Sequence, residues 1–301
     1  MPLPVLLSDD DIRRDLSATD ALRWTEEALL RRAGGQLQSP PRSKVPLSAG
    51  SLFFTVGASG EDWFGFRAYD TLETSNGQGL VVAYDAVTGQ VIAMAVGNEL
   101  GARRTGALGG VAAKHLLHGH VRSVGVIGAG TQAWTQIWAL GAFVRPDDIR
   151  IYSRTASSRA MFAQRAVEEL GLDARAVDHP RVAVDGADLV IVATNSDTPV
   201  LETGWLERDV VVTTLGPKQV GRAEFPTDLA TEADFVVTDS PAQLMSYDPP
   251  ALVADAVAPA DLAQVVAGAV EAPRRGRRVY LSVGLSGTEV HLLGRLAAHY
   301  V

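Results

Sequence analysis

Residues 123–134 read SVGVIGAGTQAW. The first part is a short run of small and apolar residues, as in a strand buried on both faces of a parallel sheet. Gly128-Ala-Gly-Thr-Gln-Ala133 then fits the pattern G-x-G-x-x-A. In that pattern the first glycine, Gly128, permits a tight turn from strand to helix. The second, Gly130, has no side chain, so a pyrophosphate can approach the backbone, and Ala133 lets helix and strand pack closely. Thr131 and Gln132 open the helix, whose N–H groups and positive dipole end face the phosphates. Such a match is weak alone. It gains weight from its setting, after a strand and at the start of a run of strand–helix units.

That run continues with "IRIYS", the helix "ASSRAMFAQRAVEEL", and the strands "ARAV", "LVIVAT", "VVVTTLG" and "FVVTDS". Their spacing is that of βαβ units. Helical pieces follow Pro249, then the loop "RRGRR", the strand "VYLSVG" and a last helix. The fold class is therefore α/β, with a doubly wound Rossmann NAD(P)-binding domain over residues 120–285. Before it, Ser8 and Ser17 begin two helices, and Gly34-Gly35 ends the second. From Pro46 to Val96 the texture is that of an antiparallel meander: "SLFFTV", "WFGFRAY", "GLVVAYD" and "QVIAMAV". A helix is expected from Arg104 to His118. Residues 1–119, joined by a returning last helix over 286–301, make a second, β-rich α+β domain.

The cofactor's identity turns on the end of the second strand of the nucleotide domain. An NAD binder usually places a carboxylate there, on the ribose 2′-OH. Here the sequence is Tyr152-Ser153-Arg154-Thr155, and Asp147 and Asp148 stand at the strand's other end. Arg154 can pair with a 2′-phosphate, and Ser153, Thr155 and Ser158 can donate to it. NADP(H) is therefore favoured over NAD(H).

Bulk properties narrow the function class. With 27 Lys and Arg against 35 Asp and Glu, the net charge of −8 excludes the basic face of a general nucleic-acid binder. The absence of cysteine excludes a thiolate nucleophile, a disulfide framework and a cysteine metal site. The N-terminal "MPLPVLLSDDDIRRD" does not read as a signal peptide, and no apolar run has membrane-spanning length. A soluble cytoplasmic protein is expected. His115, His118 and His120 run off a helix end and diverge, so no metal site is expected. "PRRGRR" at 273–278 reads as a solvated loop.

Three arginines draw notice, two of them, Arg67 and Arg104, in apolar surroundings. Arg42 lies in "SPPRSKVPL", Arg67 inside the strand "WFGFRAYDT", and Arg104 at the start of a helix of Ala, Leu, Gly and Val. Each needs an anionic partner. A substrate carboxylate, gripped bidentately, is one; internal Asp or Glu are the alternative.

With these segments in hand, "RRTGALGGVAAKHL", "SVGVIGAGTQA", "VTTLGPKQVGRAEFP" and "YLSVGLSGTEV" together resemble the ornithine cyclodeaminase and mu-crystallin family in order and spacing over nearly the whole chain. The resemblance implies a homodimer of two-domain subunits. It implies an active site between a β-rich substrate-binding and dimerisation domain and the Rossmann domain, taking small amino, keto or imino acids. It places Arg42, Arg67 (where the family usually has lysine) and Arg104 at the substrate carboxylate. Thr105 would face the cofactor, Ala193 and Thr194 would border the nicotinamide, and Ser282, Gly284 and Leu285 would close its pocket.

The sequence departs from that family in two places. Where cyclodeaminases carry an aspartate, it reads Gly216-Pro217-Lys218; a lysine there repels the distal ammonium of ornithine. Where the family has a carboxylate signature after the first meander strand, it reads Thr55-Val56-Gly57, and Asp70 or Glu73 are the substitutes nearby. The expected function is NADPH-dependent reduction of a small imino (ketimine) or keto acid, with Arg67 and Lys218 as catalytic candidates and Lys218 or a water as proton source. The alternatives are an ornithine- or lysine-type cyclodeaminase using NAD, and a non-catalytic NADPH-binding member. Pocket size is expected to depend on Phe54, Phe66, Tyr69 and the "MSYDPP" loop.

Overall fold

A computed structural model of the protein describes residues 3–72, 78–253 and 255–300. The chain opens with β1 (Val5–Leu7), α1 (Asp9–Asp15) and α2 (Ala18–Ala33). Ser8 and Ser17 cap the helices, each side chain accepting from the N–H of Asp11 or Asp20. Strands β2 (Leu37–Gln38), β3 (Ser43–Leu47), β4 (Gly50–Ser59), β5 (Trp63–Asp70), β6 (Leu80–Asp85) and β7 (Val91–Val96) follow, then α3 (Glu99–Leu116). The strands form one sheet in the order β1-β7-β6-β5-β4-β2, with β3 on β4. The expected meander, β4 to β7, is antiparallel, and β1 adds a parallel edge on β7.

Helix α3 starts at Glu99, earlier than the Arg104 expected from the sequence. Its N-cap Asn98 makes no side-chain cap bond. The Glu99 N–H instead donates to Asp9 Oδ1 at 2.8 Å, across 90 residues of chain. A cap supplied from so far away leaves no local signal.

The second half comprises β8 (Ser123–Ile127), α4 (Thr131–Leu140), β9 (Asp148–Tyr152), α5 (Ala156–Leu170), β10 (Ala174–Ala176), α6 (Pro180–Val184), β11 (Leu189–Val192) and β12 (Val210–Thr214). A small hairpin, β13 (Lys218–Gln219) and β14 (Arg222–Ala223), leads to α7 (Asp228–Thr231), β15 (Phe235–Thr238), α8 (Pro241–Met245), β16 (Ala260–Asp261), α9 (Leu262–Val266), β17 (Arg277–Leu281) and α10 (Thr288–Ala297). The larger sheet is parallel throughout, in the order β10-β9-β8-β11-β12-β17-β15-β16. Strand order reverses at β8, with β9 on one side and β11 on the other. Ligands of open α/β sheets bind beyond the carboxyl ends of the strands at such a point.

Strand alternation divides the apolar side chains between two layers. Val124, Val126, Ile191 and Val211 pack with Ile137, Leu140 and Phe162. Ile127, Val190, Val192 and Val212 pack with Val184, Phe225 and Leu229. A third cluster joins Val81, Ala83, Ala93 and Ala95 of the meander to Leu100 and Ala107 of α3 and to Leu292, Leu293 and Leu296 of α10. Helix α10 thus leaves the parallel sheet and lies against β4–β7. Leu292 and Leu293 are fully buried there, each stabilising the contact by about 2 kcal/mol. That docking carries Glu289, in the first turn of α10, to β5 and α3. No described helix is long and apolar enough to cross a membrane.

Candidate active site

A cleft of about 450 Å³ opens over the turn between β8 and α4. The end of β9 and the segment after β11 form its other walls. Gly128 has φ 115°. A Cβ there would lie 2.1 Å from the Ala193 carbonyl oxygen, so only glycine fits. At Gly130 a Cβ would meet nothing within 4 Å. The space above that residue is open, and no side chain caps α4. The first N–H groups of the helix, on Thr131 and Gln132, therefore have no intrahelical acceptor and face an open cradle. These features fit the pyrophosphate of a dinucleotide.

Ser153, Arg154, Ala193 and Thr194 line the same cleft. Arg154 is exposed and makes no hydrogen bond or ion pair with any described residue. The Ser153 hydroxyl donates to the Thr155 carbonyl at 3.0 Å. Thr155 is the N-cap of α5, with no side-chain cap bond, and lies outside the cleft lining. Arg159, which the sequence reading passed over, braces this turn by donating to the Ser153 carbonyl at 3.0 Å and pairing with Asp178. No described Asp or Glu lines the cleft.

Gln132 lines both this cleft and a second chamber of about 330 Å³. Arg42, Arg67, Arg104 and Lys218 face that chamber, with Tyr69, Tyr247, Thr105, Ser282 and Gly284. Thr105 is thus on the chamber side, its hydroxyl donating to the Gly101 carbonyl at 2.9 Å. Strand alternation puts Arg67 and Tyr69 on one face of β5, and the Arg67 guanidinium lies 4.3 Å from the Tyr69 ring centroid.

Arg67 and Arg104 do not wait for a ligand to supply all their counter-charge. Both donate to Glu289 Oε1, Arg67 at 3.2 Å and Arg104 closer still. For this pair the internal-carboxylate alternative is present: Glu289 pairs with both. Burial alone would raise the Glu289 carboxyl, but Arg104 and Arg67 outweigh it and hold it below the usual carboxylate range. Arg104 Nε and Nη1 remain buried without a partner, so the pair keeps donors to offer.

Arg42 is different. Its guanidinium donates to the hydroxyls of Tyr69 at 3.4 Å and Tyr247 at 3.2 Å. Its backbone N–H donates to Gln243 Oε1 at 2.8 Å. Lys218, 3% exposed, donates from Nζ to the Gly216 carbonyl at 2.6 Å. Burial pulls its pKa down to about 8, against the opposing fields of Glu224 and Asp239 and with the help of Arg42.

Two further carboxylates, unnoticed in the sequence, build the walls. Glu224 is fully buried. It accepts from the N–H and hydroxyl of Thr194 at 2.7 and 2.8 Å, and from the N–H groups of Leu215 and Gly216 at 3.0 and 2.5 Å. It thereby ties the segment after β11 to the segment after β12. Asp239 accepts from the N–H groups of Val283 and Gly284, both at 2.9 Å, and so shapes the exit from β17. Burial pushes both carboxyls up from their ordinary values. Asp239 carried a signal, an acidic residue at the end of the apolar strand β15; Glu224, after the two-residue β14, carried none of that kind.

Other expected residues fall elsewhere. Leu285 is fully buried in the core rather than lining the chamber. Phe66 lines an apolar hollow on the outer face of the meander, and Phe54 packs on Phe66. Of the residues expected to set pocket size, Tyr69 and Tyr247 do face the chamber. Asp70 turns to the Leu72 N–H at 2.9 Å, and Glu73 lies outside the described residues. His115 contacts Glu26 at 2.8 Å and His120 contacts Asp147 at 2.9 Å, so the imidazoles go to separate partners. No described cluster of His, Asp or Glu has the grouping of a metal site.

The sequence profile of the ornithine cyclodeaminase/mu-crystallin family matches residues 4–294. A Δ1-pyrroline-2-carboxylate reductase of Bacillus cereus is 26% identical over 245 residues, covering 78% of this chain and 75% of its own. A Sinorhizobium fredii protein named as an uncharacterized cyclodeaminase is 33% identical over 257 residues, 80% of this chain and 76% of its own. The solved structure of Thermococcus litoralis Δ1-pyrroline-2-carboxylate reductase, in complex with NADH and L-proline, has the same fold. It aligns with a TM-score of 0.87 at 24% identity, over 98% of this chain and 96% of that one. The chain belongs to the ornithine cyclodeaminase/mu-crystallin family.

Proposed function

We propose that the protein is an NAD(P)H-dependent oxidoreductase that uses NADPH to reduce a small imino (ketimine) or keto acid beside its carboxylate. The observation that carries this reading is the junction at Gln132, where the dinucleotide-shaped cleft meets a chamber lined by cations. The named reductase among the relatives supports the same reaction class.

The bound nicotinamide would supply the hydride. The chain's own part is to bind and orient. The start of α4 holds the pyrophosphate, with Ala193 and Thr194 along the cleft. Arg154, free of any internal partner, meets the 2′-phosphate that an NAD site would replace with a ribose hydroxyl. Arg42, Arg67 and Arg104 grip the substrate carboxylate and fix the reacting carbon. Thr105, Ser282 and Gly284 close the chamber around it. Orientation of this kind can supply much of a hydride-transfer rate enhancement. Where the acceptor is C=O, the alkoxide left by reduction needs a proton, and Lys218 Nζ holds one. A protonated imine needs none. Lys218 at the chamber wall also repels a distal substrate ammonium, which counts against cyclodeamination.

The deciding assay is NADPH oxidation with Δ1-pyrroline-2-carboxylate and Δ1-piperideine-2-carboxylate, with NADH in parallel. Turnover that prefers NADPH supports the reading. Ammonia release from ornithine or lysine would replace it with the cyclodeaminase reading.

We also infer that two copies pair through the outer face of the meander. Phe54, Val56 and Phe64 are 39%, 41% and 39% exposed there, around the apolar hollow lined by Phe66 and Tyr84. A single chain rarely leaves such a patch in water. Sedimentation should give a dimer, and Phe64→Asp a monomer; a monomeric parent protein would refute the pairing.

A further inference from the structure

Ladder bonds hold neighbouring strands of the parallel sheet only as far as the strands run. Between β11 and β12 the Leu215 N–H still donates to the Val192 carbonyl at 2.9 Å. Beyond that bond the chains part toward the two cavities, and one side chain takes over. Glu224 Oε2 accepts from the N–H and the hydroxyl of Thr194, and Oε1 from the N–H groups of Leu215 and Gly216. The Glu224 backbone is held between the same segments. Its N–H donates to the Pro217 carbonyl and its carbonyl accepts from the Val200 N–H, both at 2.9 Å. The seam is closed sterically too: a Cβ on Gly216 would lie 2.1 Å from the Thr194 carbonyl oxygen and 2.5 Å from Glu224 Oε2.

The two segments serve different ligands. Thr194 and Val200 line the dinucleotide cleft, while Leu215, Gly216 and Lys218 line the chamber. The strand order β9-β8-β11-β12 also orders the dinucleotide. With Arg154 after β9 at one end and the pyrophosphate at the start of α4, the other end extends over β11 toward β12, onto the seam that Glu224 holds. Four donors fill both oxygens of a carboxylate, and an amide in its place offers a single acceptor oxygen. A buried ion is kept here despite its desolvation cost. Lys218 offsets part of that cost, since its field opposes the effect of burial on the Glu224 carboxyl. Gly216 links the two, donating to Glu224 and accepting from Lys218 Nζ.

We infer that Glu224 is a positioning residue for hydride transfer: it fixes the spacing between the nicotinamide wall and the chamber wall, so that the hydride faces the acceptor carbon. This rests on the reductase reading above. Glu224 lines neither cavity and acts through Thr194 and Gly216. The hydride leaves the dihydronicotinamide ring with its electron pair and adds to the carbon of the protonated imine, whose π pair becomes the nitrogen lone pair. A misplacement of about 1 Å can slow such a step about 100-fold, while the groups that bind the pyrophosphate and the substrate carboxylate keep their places.

The test uses Glu224→Gln, which keeps the shape but not the second acceptor oxygen. Glu224→Asp, with the charge on a shorter arm, covers the case that the first variant does not fold. Leu229→Ala, in the buried layer behind the sheet, is a destabilised control with the seam intact. Turnover of Δ1-pyrroline-2-carboxylate by NADPH is read per folded molecule, below the melting transition. A protonated imine consumes no further proton, so proton supply from Lys218 does not enter. Both Glu224 variants should lower kcat, the glutamine by about 10-fold to 100-fold, with KM and the NADPH Kd nearly unchanged. NADPH deuterated at the transferred position should show a larger isotope effect on kcat than in the parent. The control should keep its kcat. An unchanged kcat in the folded Glu224 variants, a loss of NADPH affinity as large as the loss of kcat, or an equal loss in Leu229→Ala overturns the inference and leaves the reductase reading standing. The fluorescence lifetime of bound NADPH reads the hold on the nicotinamide without turnover. A parent protein that turns over neither imine nor keto acid sinks the reductase reading. A lifetime that the Glu224 variants shorten at unchanged Kd then still supports the positioning role, and an unchanged lifetime overturns it.

Discussion

Replacing Lys218 by methionine should make the protein more stable at neutral pH and leave that gain dependent on pH. Burial pulls the Lys218 pKa from the ordinary value of 10.5 to about 8. At about 1.4 kcal/mol per unit, holding the ammonium in place costs about 3 kcal/mol. The sign follows from proton binding. Between about pH 8 and pH 10.5 the unfolded chain keeps a proton that the folded chain has released, so stability rises with pH across that window. Below it the full penalty is present. Methionine is close in shape and carries none of it. It forfeits the bond from Nζ to the Gly216 carbonyl, about 1 kcal/mol net. The balance at pH 7 is a gain of about 2 kcal/mol, or about 4 °C in melting midpoint for a chain of this size. By about pH 9.5 roughly 2 kcal/mol of the penalty has been relieved in the parent protein, and the two midpoints should converge. Calorimetric melting of both proteins at the two pH values reads this directly. A variant that melts lower at pH 7, or a difference that stays constant with pH, would refute the argument.

Gly130→Val should leave the melting midpoint nearly unchanged, because its side chain enters open space, yet weaken NADPH binding by at least about 10-fold in a fluorescence titration. Gly128→Ala should instead fail structurally: its Cβ would meet the Ala193 carbonyl, and a loss of about 2 kcal/mol or more is expected in denaturant unfolding. Arg154→Asp should lower the NADPH-to-NADH ratio of kcat/KM by about 10-fold to 100-fold; an unchanged ratio would mean that Arg154 does not read the 2′-phosphate. Glu289→Gln removes the charge between the buried Arg104 and the partly buried Arg67 guanidiniums and should cost about 3 kcal/mol. Because Arg104 and Arg67 hold the Glu289 carboxyl low, its contribution is complete above the unfolded carboxyl pKa and disappears as pH falls through the folded value. The difference in unfolding midpoint between variant and parent should therefore shrink on acidification.

The residues readable in the sequence were those whose role is local. Gly128 and Gly130 announce themselves because a strand, a tight turn and a helix start are consecutive. Arg67 and Arg104 stand out as charges among apolar and small residues. The partners of those charges were not readable, since pairing is a matter of where distant segments meet. Glu289 lies 222 residues from Arg67 and 185 from Arg104. Glu224 holds Thr194 from 30 residues away. The start of α3 was misplaced for the same reason, its cap being Asp9. Leu285 was misassigned because family position gives no direction for a side chain, and the exit from β17 turns it into the core. Phe54 and Phe66 face away from the chamber because the register of β4 and β5 turns those positions to the outer face.

The placement of Glu289 on α10 has a consequence for how the protein comes into being. Strand β5 and helix α3 leave the ribosome long before the carboxylate that separates their two guanidiniums. At roughly 5–20 residues per second, the interval between Arg104 and Glu289 is on the order of ten to forty seconds. During that time the meander and α3 must either keep Arg67 and Arg104 apart or leave the region loosely folded. Consolidation of the nascent chain around the active site then waits on the arrival of a single acidic side chain near its end.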